Sequence, residues 1–307
     1  MILSKLKIYI KLLRVPFFTA SLIPIALGTA LAYSTTGLFS PALCILALFA
    51  MICFQAGANI TNDYFDHISR NDWLNENTTP FSGGSRVIQK NLLTPGAVLK
   101  FALGVFTLGS ITGIAIVIIT KSFFILLLGI TGLFGAYFYT ANPLKFGYRT
   151  TGEITIALLF GIIPVYGAWY IQTLNFNITP LLPGLIVAML IFEVILANEF
   201  ADYNADKAVN KKTIVVTFGV EKAVVVYKTT LFLICLGMMT FAFTIPNKTL
   251  AGLTLLITVA LAAKCLHTAK PYLLKQKGNF SLSKATVLLH LISGLSITAA
   301  VLLSKPR

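Results

Sequence analysis

Asn62-Asp63-Tyr64-Phe65-Asp66 and Asn198-Glu199-Phe200-Ala201-Asp202-Tyr203-Asn204-Ala205-Asp206 close two long apolar runs, 41–61 and 180–201. The chain of 307 residues holds only ten Asp and Glu in all. A carboxylate beside hydrocarbon is costly, so two such clusters call for counter-charges. A bound metal or charged ligand meets that demand, and two facing acid clusters holding divalent cations at a membrane surface is the pattern's first implication.

Working outward, the composition is that of a membrane protein. It is 57% hydrophobic and 11% charged, against about a quarter charged in soluble domains. Apolar runs near the ~20 residues needed to cross a hydrocarbon core recur along the chain. Nine are read: 15–33, 41–61, 97–120, 122–140, 152–174, 180–201, 222–245, 249–267 and 284–304. Each satisfies its own backbone hydrogen bonds in lipid only as a helix. The expectation is all-α, a multi-pass bundle of nine transmembrane helices around a central cavity, forming a single membrane domain over 1–307. The run at 122–140 follows its predecessor almost directly and predicts a tight hairpin.

A net charge of +14 invites a nucleic-acid reading. Its distribution argues against that. With nine crossings, Lys121, Lys248, Lys305 and Arg307 fall on one side. Every other Lys and Arg falls on the opposite side, from Lys5, Lys7, Lys11 and Arg14 at the start to Lys270, Lys275, Lys277 and Lys284 near the end. This bias places the N-terminus in the cytoplasm of a plasma-membrane protein. No nucleic-acid partner is implied. All ten acids lie on the cytoplasmic side or within a run, most of them in 62–96 and 202–221. The first run, with its basic start and Ala30-Leu31-Ala32, has a signal-peptide composition. It reads as a span because only more spans follow. Cys44, Cys53, Cys235 and Cys265 lack metal-ligand spacing and read as packing residues.

Spacing sharpens the clusters. If the second span continues through Asp66, then Asn59, Asn62, Asp63 and Asp66 share one helical face. Asn198, Asp202 and Asp206 are likewise spaced by four. Two converging helices would present oxygen ligands suited to Mg²⁺, which keeps waters while bridging substrate phosphates. The plain alternative is that acids at span ends are solvated or cap a helix. Two clusters on one side, both Asn-led and both spaced by four, favour the ligand face.

Nearby bases complete a metal–diphosphate pattern. Phe81-Ser82-Gly83-Gly84-Ser85-Arg86 joins a glycine turn to a guanidinium, Lys145 and Arg149 follow the fourth span, and Lys211-Lys212-Thr213 follows the second acid cluster. Arg binds phosphate as a fork and Lys as a point charge. Positive-inside anchoring is the competing role, favoured for Lys90 and Lys212. Glu193 sits within a run and is a functional candidate on that ground. Glu153, at the start of the fifth span, suits the helix dipole. His67 reads as an exposed loop residue.

These motifs resemble the UbiA superfamily of intramembrane prenyltransferases, particularly the menaquinone-pathway branch. The resemblance covers most of the chain. It rests on Arg14-Val15-Pro16 with Ser21, Pro24 and Gly28; on Asn59 through Asp66 with Asp72 beyond; on Tyr139, Pro143, Lys145 and Gly152-Glu153; and on Asn198, Asp202, Asp206, Lys211, Thr213 and Gly219. The common form has an acid where this chain has Arg70, and Asp72 matches the menaquinone-type spacing. Ala201 stands where that branch usually has Arg, and the Tyr139-to-Lys145 spacing is longer than in ubiquinone-type enzymes.

The resemblance implies Mg²⁺ bridging the two motifs and the diphosphate of a polyprenyl donor. Catalytic acids would be Asp66, Asp202 and Asp206, joined at the metal by Asn62, Asp63, Asp72 and Asn198. Diphosphate would meet Arg70, Arg86, Lys145, Arg149 and Lys211, with Arg14, Tyr139 and Glu193 in the cavity. The aromatic acceptor implied is 1,4-dihydroxy-2-naphthoate, with 4-hydroxybenzoate, homogentisate or a glycerol phosphate lipid as alternatives. Phe54, Tyr64, Tyr137, Tyr139, Phe160 and Tyr166 are candidates for shielding an allylic cation. A membrane transporter is the competing class, though no repeat surrounds the two motifs.

Overall fold

A computed structural model describes residues 2–276 and 279–304. The side chain of Lys5, and residues Lys277, Lys305 and Arg307 of the charge pattern, lie outside the described set. Helices α1 (Ile2–Leu13), α2 (Thr19–Thr36), α3 (Pro41–Ile68), α4 (Asn71–Leu74), α5 (Pro95–Thr120) and α6 (Phe123–Phe138) form the first half. The second half holds α7 (Gly152–Ala157), α8 (Ile163–Thr173), α9 (Leu181–Ala208), α10 (Ile214–Phe218), α11 (Val220–Ala242), α12 (Lys248–Thr268), α13 (Pro271–Leu274) and α14 (Ser281–Leu302). A π-helical turn, Leu158–Ile162, joins α7 to α8 into one continuous span. Pro164 follows it and has no N–H to give, which a widened turn accommodates.

The helix starts are written in the sequence. Ser40 accepts from Leu43 N ahead of Pro41, Thr94 from Ala97 N ahead of Pro95, and Ser122 and Asn247 cap α6 and α12 in the same way. Among the described residues, eight helices are long and apolar enough to cross a membrane, one fewer than expected. The difference lies at 122–140. Helix α6 has 16 residues, about 24 Å at 1.5 Å per residue, short of the ~30 Å core. The Lys121-Ser122 turn and the departure of the chain after Phe138 shorten it. The hairpin itself is present: α5 packs on α6, and Tyr139, just past α6, lines the same cavity as the end of α3.

Helices α3 and α9 are the opposite case. Each has 28 residues, about 42 Å, and outruns the hydrocarbon thickness. Their final turns carry the two acid clusters, so the acids lie past the length needed for a span without leaving a helix. Close packing holds α9 in place: a Cβ on Gly161 would stand 2.3 Å from Ala188 Cα, which only glycine permits. Large apolar side chains such as Ile111, Ile118 and Phe232 point outward, as a lipid-facing surface requires.

Candidate active site

The end of α3, the end of α9, the start of α2, Tyr139 and the loop after α4 enclose a cavity of about 180 Å³. Gln55, Asn59, Asn62 and Asp66 form the α3 wall, while Asn198, Asp202 and Asp206 form the α9 wall. The interior below is apolar, with Ile156, Phe160, Ile191, Val194 and Ile195. Of the expected face on α3, Asp63 turns aside: its Oδ1 accepts from Ser85 N at 3.0 Å, and Gly84 backs it and Asp72. A Cβ at Gly84 would come within 2.6 Å of Asp72 Oδ2, and its φ of +69° is itself a glycine conformation.

The acids are bound up with one another through protein donors. Asp66 accepts from Tyr148 Oη at 2.7 Å and Asn62 Nδ2 at 2.9 Å. Asp206 accepts from Asn71 Nδ2 at 2.8 Å, and Asp202 from Asn75 Nδ2 at 2.6 Å. Lys211 bridges the two helices, 3.4 Å from Asp206 and 3.8 Å from Asp66. Burial works against its charge, but Asp206 and Asp66 outweigh burial and hold its pKa well above the ordinary lysine value. Burial pushes the Tyr139 and Tyr148 phenols up, so both remain hydroxyl donors. Burial, then the charges of Asp66 and Asp63, push Asp72 up to about 8.

The expected bases divide. Arg14 and Lys211 line the cavity, whereas Arg70, Arg86, Lys145 and Arg149 do not. Arg70 is exposed at the left-handed residue before α4 (φ 66°), and Arg149 is exposed on the loop. Arg86 is spent on the Asp72 carbonyl oxygen, to which its guanidinium donates. Lys145 lies over the Tyr148 ring, 5.0 Å from its centre. Glu193 does not line the cavity either. It is fully buried but turned toward α11, where Thr230 approaches it, and neither carboxylate oxygen has a partner of hydrogen-bond geometry. Glu153 serves more than a helix dipole: buried, it accepts from Ile214 N at 2.6 Å and ties α7 to α10. His67 ends α3 rather than lying in a loop, and accepts from Trp73 Nε1 at 3.1 Å. Of the candidate aromatics, Tyr139 and Phe160 line this cavity, joined by Phe17 and Phe81; Phe54 lines a separate apolar groove.

Among the described residues no three His, Cys, Asp or Glu form a ready-made metal cluster. The donor set instead fits a hard cation that takes part of its shell from a bound phosphate. Asp66, Asp202, Asp206 and Asn62 present oxygens to one cavity, and the buried side-chain oxygen of Asn198 has no partner.

A profile of the UbiA prenyltransferase family matches residues 21–302. The chain belongs to the UbiA prenyltransferase family. The human UbiA prenyltransferase domain-containing protein 1 is 28% identical over 227 residues, 73% of this chain and 65% of that protein. The chain thus spans slightly under two thirds of the length of that relative. The 1,4-dihydroxy-2-naphthoate octaprenyltransferase of Bacillus subtilis (strain 168) is 29% identical over 216 residues, 70% of this chain and 67% of the relative. A UbiA homolog from Archaeoglobus fulgidus, solved bound to GPP and Mg²⁺, superposes with a TM-score of 0.72 at 18% identity. That superposition covers 96% of this chain and 99% of the other, and the likeness is one of fold.

In this UbiA-family chain, sequence reasoning missed the residues that hold the acids in place. Asn71 opens the one-turn helix α4, Asn75 follows it, and Tyr148 ends a single 3-10 turn, all too short to show a period. The one available signal was a run of asparagines, Asn71, Asn75 and Asn77, directly after the first acid motif. Gln55 was also missed. It takes the Ser21 hydroxyl and donates to Phe17 O at 2.7 Å, pinning the start of α2 against α3.

Proposed function

We propose that this chain transfers a polyprenyl group from polyprenyl diphosphate to an aromatic acceptor, foremost 1,4-dihydroxy-2-naphthoate, as one membrane domain over 1–307. The site opens on the cytoplasmic face of the plasma membrane. One observation carries the reading: acids of both clusters, Arg14 and Lys211 line a single cavity with an apolar interior. A diphosphate joined to a hydrocarbon chain is the ligand that such a polar mouth and apolar floor describe.

Asp66, Asp202 and Asp206, with Asn62 and Asn198, would hold Mg²⁺; Asp72 lines the same cavity and Asp63 lies behind it, held by Ser85 N. When bound, Mg²⁺ offsets the charge that builds on the departing diphosphate. Lys211 and Arg14 add positive charge to the same group. As the allylic C1–O bond breaks, its electron pair leaves with the diphosphate. An electron-rich ring carbon of the acceptor then bonds to C1 and gives up a proton. With dihydroxynaphthoate the ring also loses its carboxylate as carbon dioxide, and the vacated ring carbon takes up a proton in its place. The Phe17 ring is covered by the Arg14 guanidinium, while Phe81, Tyr139 and Phe160 line the cavity where π faces could shield the cation. Ile156, Ile191, Val194 and Ile195 keep water from it.

The test is purified protein with labelled polyprenyl diphosphate, Mg²⁺ and a panel of acceptors that includes 4-hydroxybenzoate, homogentisate and a glycerol phosphate lipid. Mg²⁺-dependent product with dihydroxynaphthoate above the others is expected. Product with another acceptor alone keeps the reaction and replaces the substrate. No turnover with any of them, together with solute flux in vesicles, supports a transporter instead.

A further inference from the structure

Lys211 places its ammonium between the two clusters, 3.8 Å from Asp66 and 3.4 Å from Asp206. It follows α9 in a turn built by Asn210 at φ 56° and closed by Lys211 N donating to Asp206 O at 2.8 Å. The turn docks on the neighbouring loop through Lys212 N and Tyr148 O, 3.1 Å apart. Its ammonium is thereby aimed back into the cavity, 14% exposed, between an Asp206 side chain 1% exposed and an Asp66 side chain 7% exposed. The Tyr148 ring stands 5.4 Å from it and donates its hydroxyl to the far oxygen of Asp66. No other Lys or Arg among the described residues makes an ion pair with either cluster.

Two buried carboxylates sharing one cavity repel, and an internal ammonium offsets that repulsion. The same ammonium opposes a divalent cation approaching the same oxygens. A diphosphate changes the balance, because it brings negative charge to which the ammonium can turn. On the metal–diphosphate reading above, we infer that Lys211 is an exchangeable counter-ion that excludes divalent metal from the acid clusters until a diphosphate enters. Metal and donor then bind as a coupled pair, and their coupling resides in one side chain.

The experiment measures Mn²⁺ binding to purified protein by electron paramagnetic resonance, alone and with inorganic pyrophosphate. In the unmodified protein Mn²⁺ alone binds about tenfold or more weakly than with pyrophosphate; equal affinities overturn the inference. Lys211→Met keeps the apolar stem and removes the charge. It is expected to bind Mn²⁺ alone about tenfold more tightly and Mn²⁺–pyrophosphate about tenfold more weakly. Opposite signs are the signature, since a merely structural lysine would weaken both. Lys211→Arg retains the order seen in the unmodified protein. Lys211→Met binding Mn²⁺ alone no more tightly than the unmodified protein overturns the inference while leaving the reaction standing. No Mn²⁺ binding under any condition overturns the metal–diphosphate reading itself.

Discussion

Two buried polar clusters share this helix bundle, and only one has the features of a site. The first lies at the ends of α3 and α9, where Asp66, Asp202 and Asp206 meet Lys211, asparagine amides and a cavity. The second lies deeper, among α9, α11, α12 and α14. There Glu193 is fully buried, the Tyr227 and Thr286 hydroxyls are 2.5 Å apart, Thr258 donates to Ser293 at 3.0 Å, and the His290 Nε2 has no partner. Burial alone does not separate them. What separates them is counter-charge and space: among the described residues the deep cluster holds no Lys or Arg, and it borders neither the acid-lined cavity nor the apolar groove. Hydroxyl pairs between packed helices also serve as glue in lipid, and that role accounts for the Tyr227–Thr286 and Thr258–Ser293 contacts.

The largest expected effect tests this division directly. Asp66→Ala and Asp202→Ala are each expected to lower prenyl transfer by about a thousandfold or more, the upper range for losing one charge-stabilising group. Glu193→Gln keeps the side-chain shape at a residue outside the cavity and should retain turnover within about threefold, less than ~1 kcal/mol in barrier. Labelled-donor assays on proteins with matched thermal unfolding curves decide it. A Glu193→Gln protein as inactive as Asp66→Ala would merge the two clusters into one functional unit.

A subtler contrast separates activity from stability. Asn71→Ala and Asn75→Ala remove the amides that hold Asp206 and Asp202, and orienting groups of this kind are worth about 10- to 100-fold. Tyr227→Phe in the deep cluster removes a hydrogen bond between helices, costing about 1 kcal/mol of stability with turnover unchanged. Initial rates and unfolding midpoints measured on the same preparations should move in opposite columns. Activity loss in Tyr227→Phe at unchanged stability would argue that the deep cluster communicates with the cavity.

The parts legible in the sequence are those governed by helical period. Acids spaced by four on runs that outlast the membrane thickness gave one face on α3 and one on α9, and both helices do continue to Ile68 and Ala208. The same arithmetic places Glu193 off the cavity. Five residues before Asn198 is about 140° around the helix, so it cannot share that face, and its intramembrane position alone was misleading. The loop bases failed for another reason. Positive charge near a membrane surface is common to topology and to phosphate binding, and only tertiary packing separates Lys211, aimed inward, from Arg70 and Arg149, exposed. Tyr148 had no local signal at all, because its role arises from the loop's docking on Asp66.

Protonation adds a smaller effect within the first cluster. Asp72, held up to about 8 by burial and then by Asp66 and Asp63, keeps its proton at pH 7 in the metal-free fold. The unfolded chain releases it near ~4. The native state therefore binds the extra proton between those values, so stability falls as pH rises from ~4 to ~8 and levels off above. Asp72→Asn should flatten that decline, read as a smaller difference in unfolding midpoint between pH 5 and pH 8. An unchanged slope would assign the proton to another residue. The deep cluster serves as the control: Tyr227→Phe should leave the slope as it is.

The smallest expected effect concerns bases that stand near the first cluster without entering it. Lys145 sits over the Tyr148 ring and Arg149 is exposed, so neither faces the cavity that Lys211 and Arg14 line. An exposed charge outside a site is screened by solvent and salt. Lys145→Ala and Arg149→Ala should therefore change kcat/KM by no more than about twofold, within the range of ordinary surface substitutions. Arg14→Ala and Lys211→Met, whose charges do face the cavity, should lower it far more. Repeating the assay at low ionic strength sharpens the distinction. A long-range attraction of diphosphate by the loop bases would emerge there as a KM effect that salt removes, whereas a direct contact would persist at every salt concentration. A salt-independent loss in Lys145→Ala would bring that lysine into the cavity when donor binds, and the boundary between site and anchor would shift by one side chain.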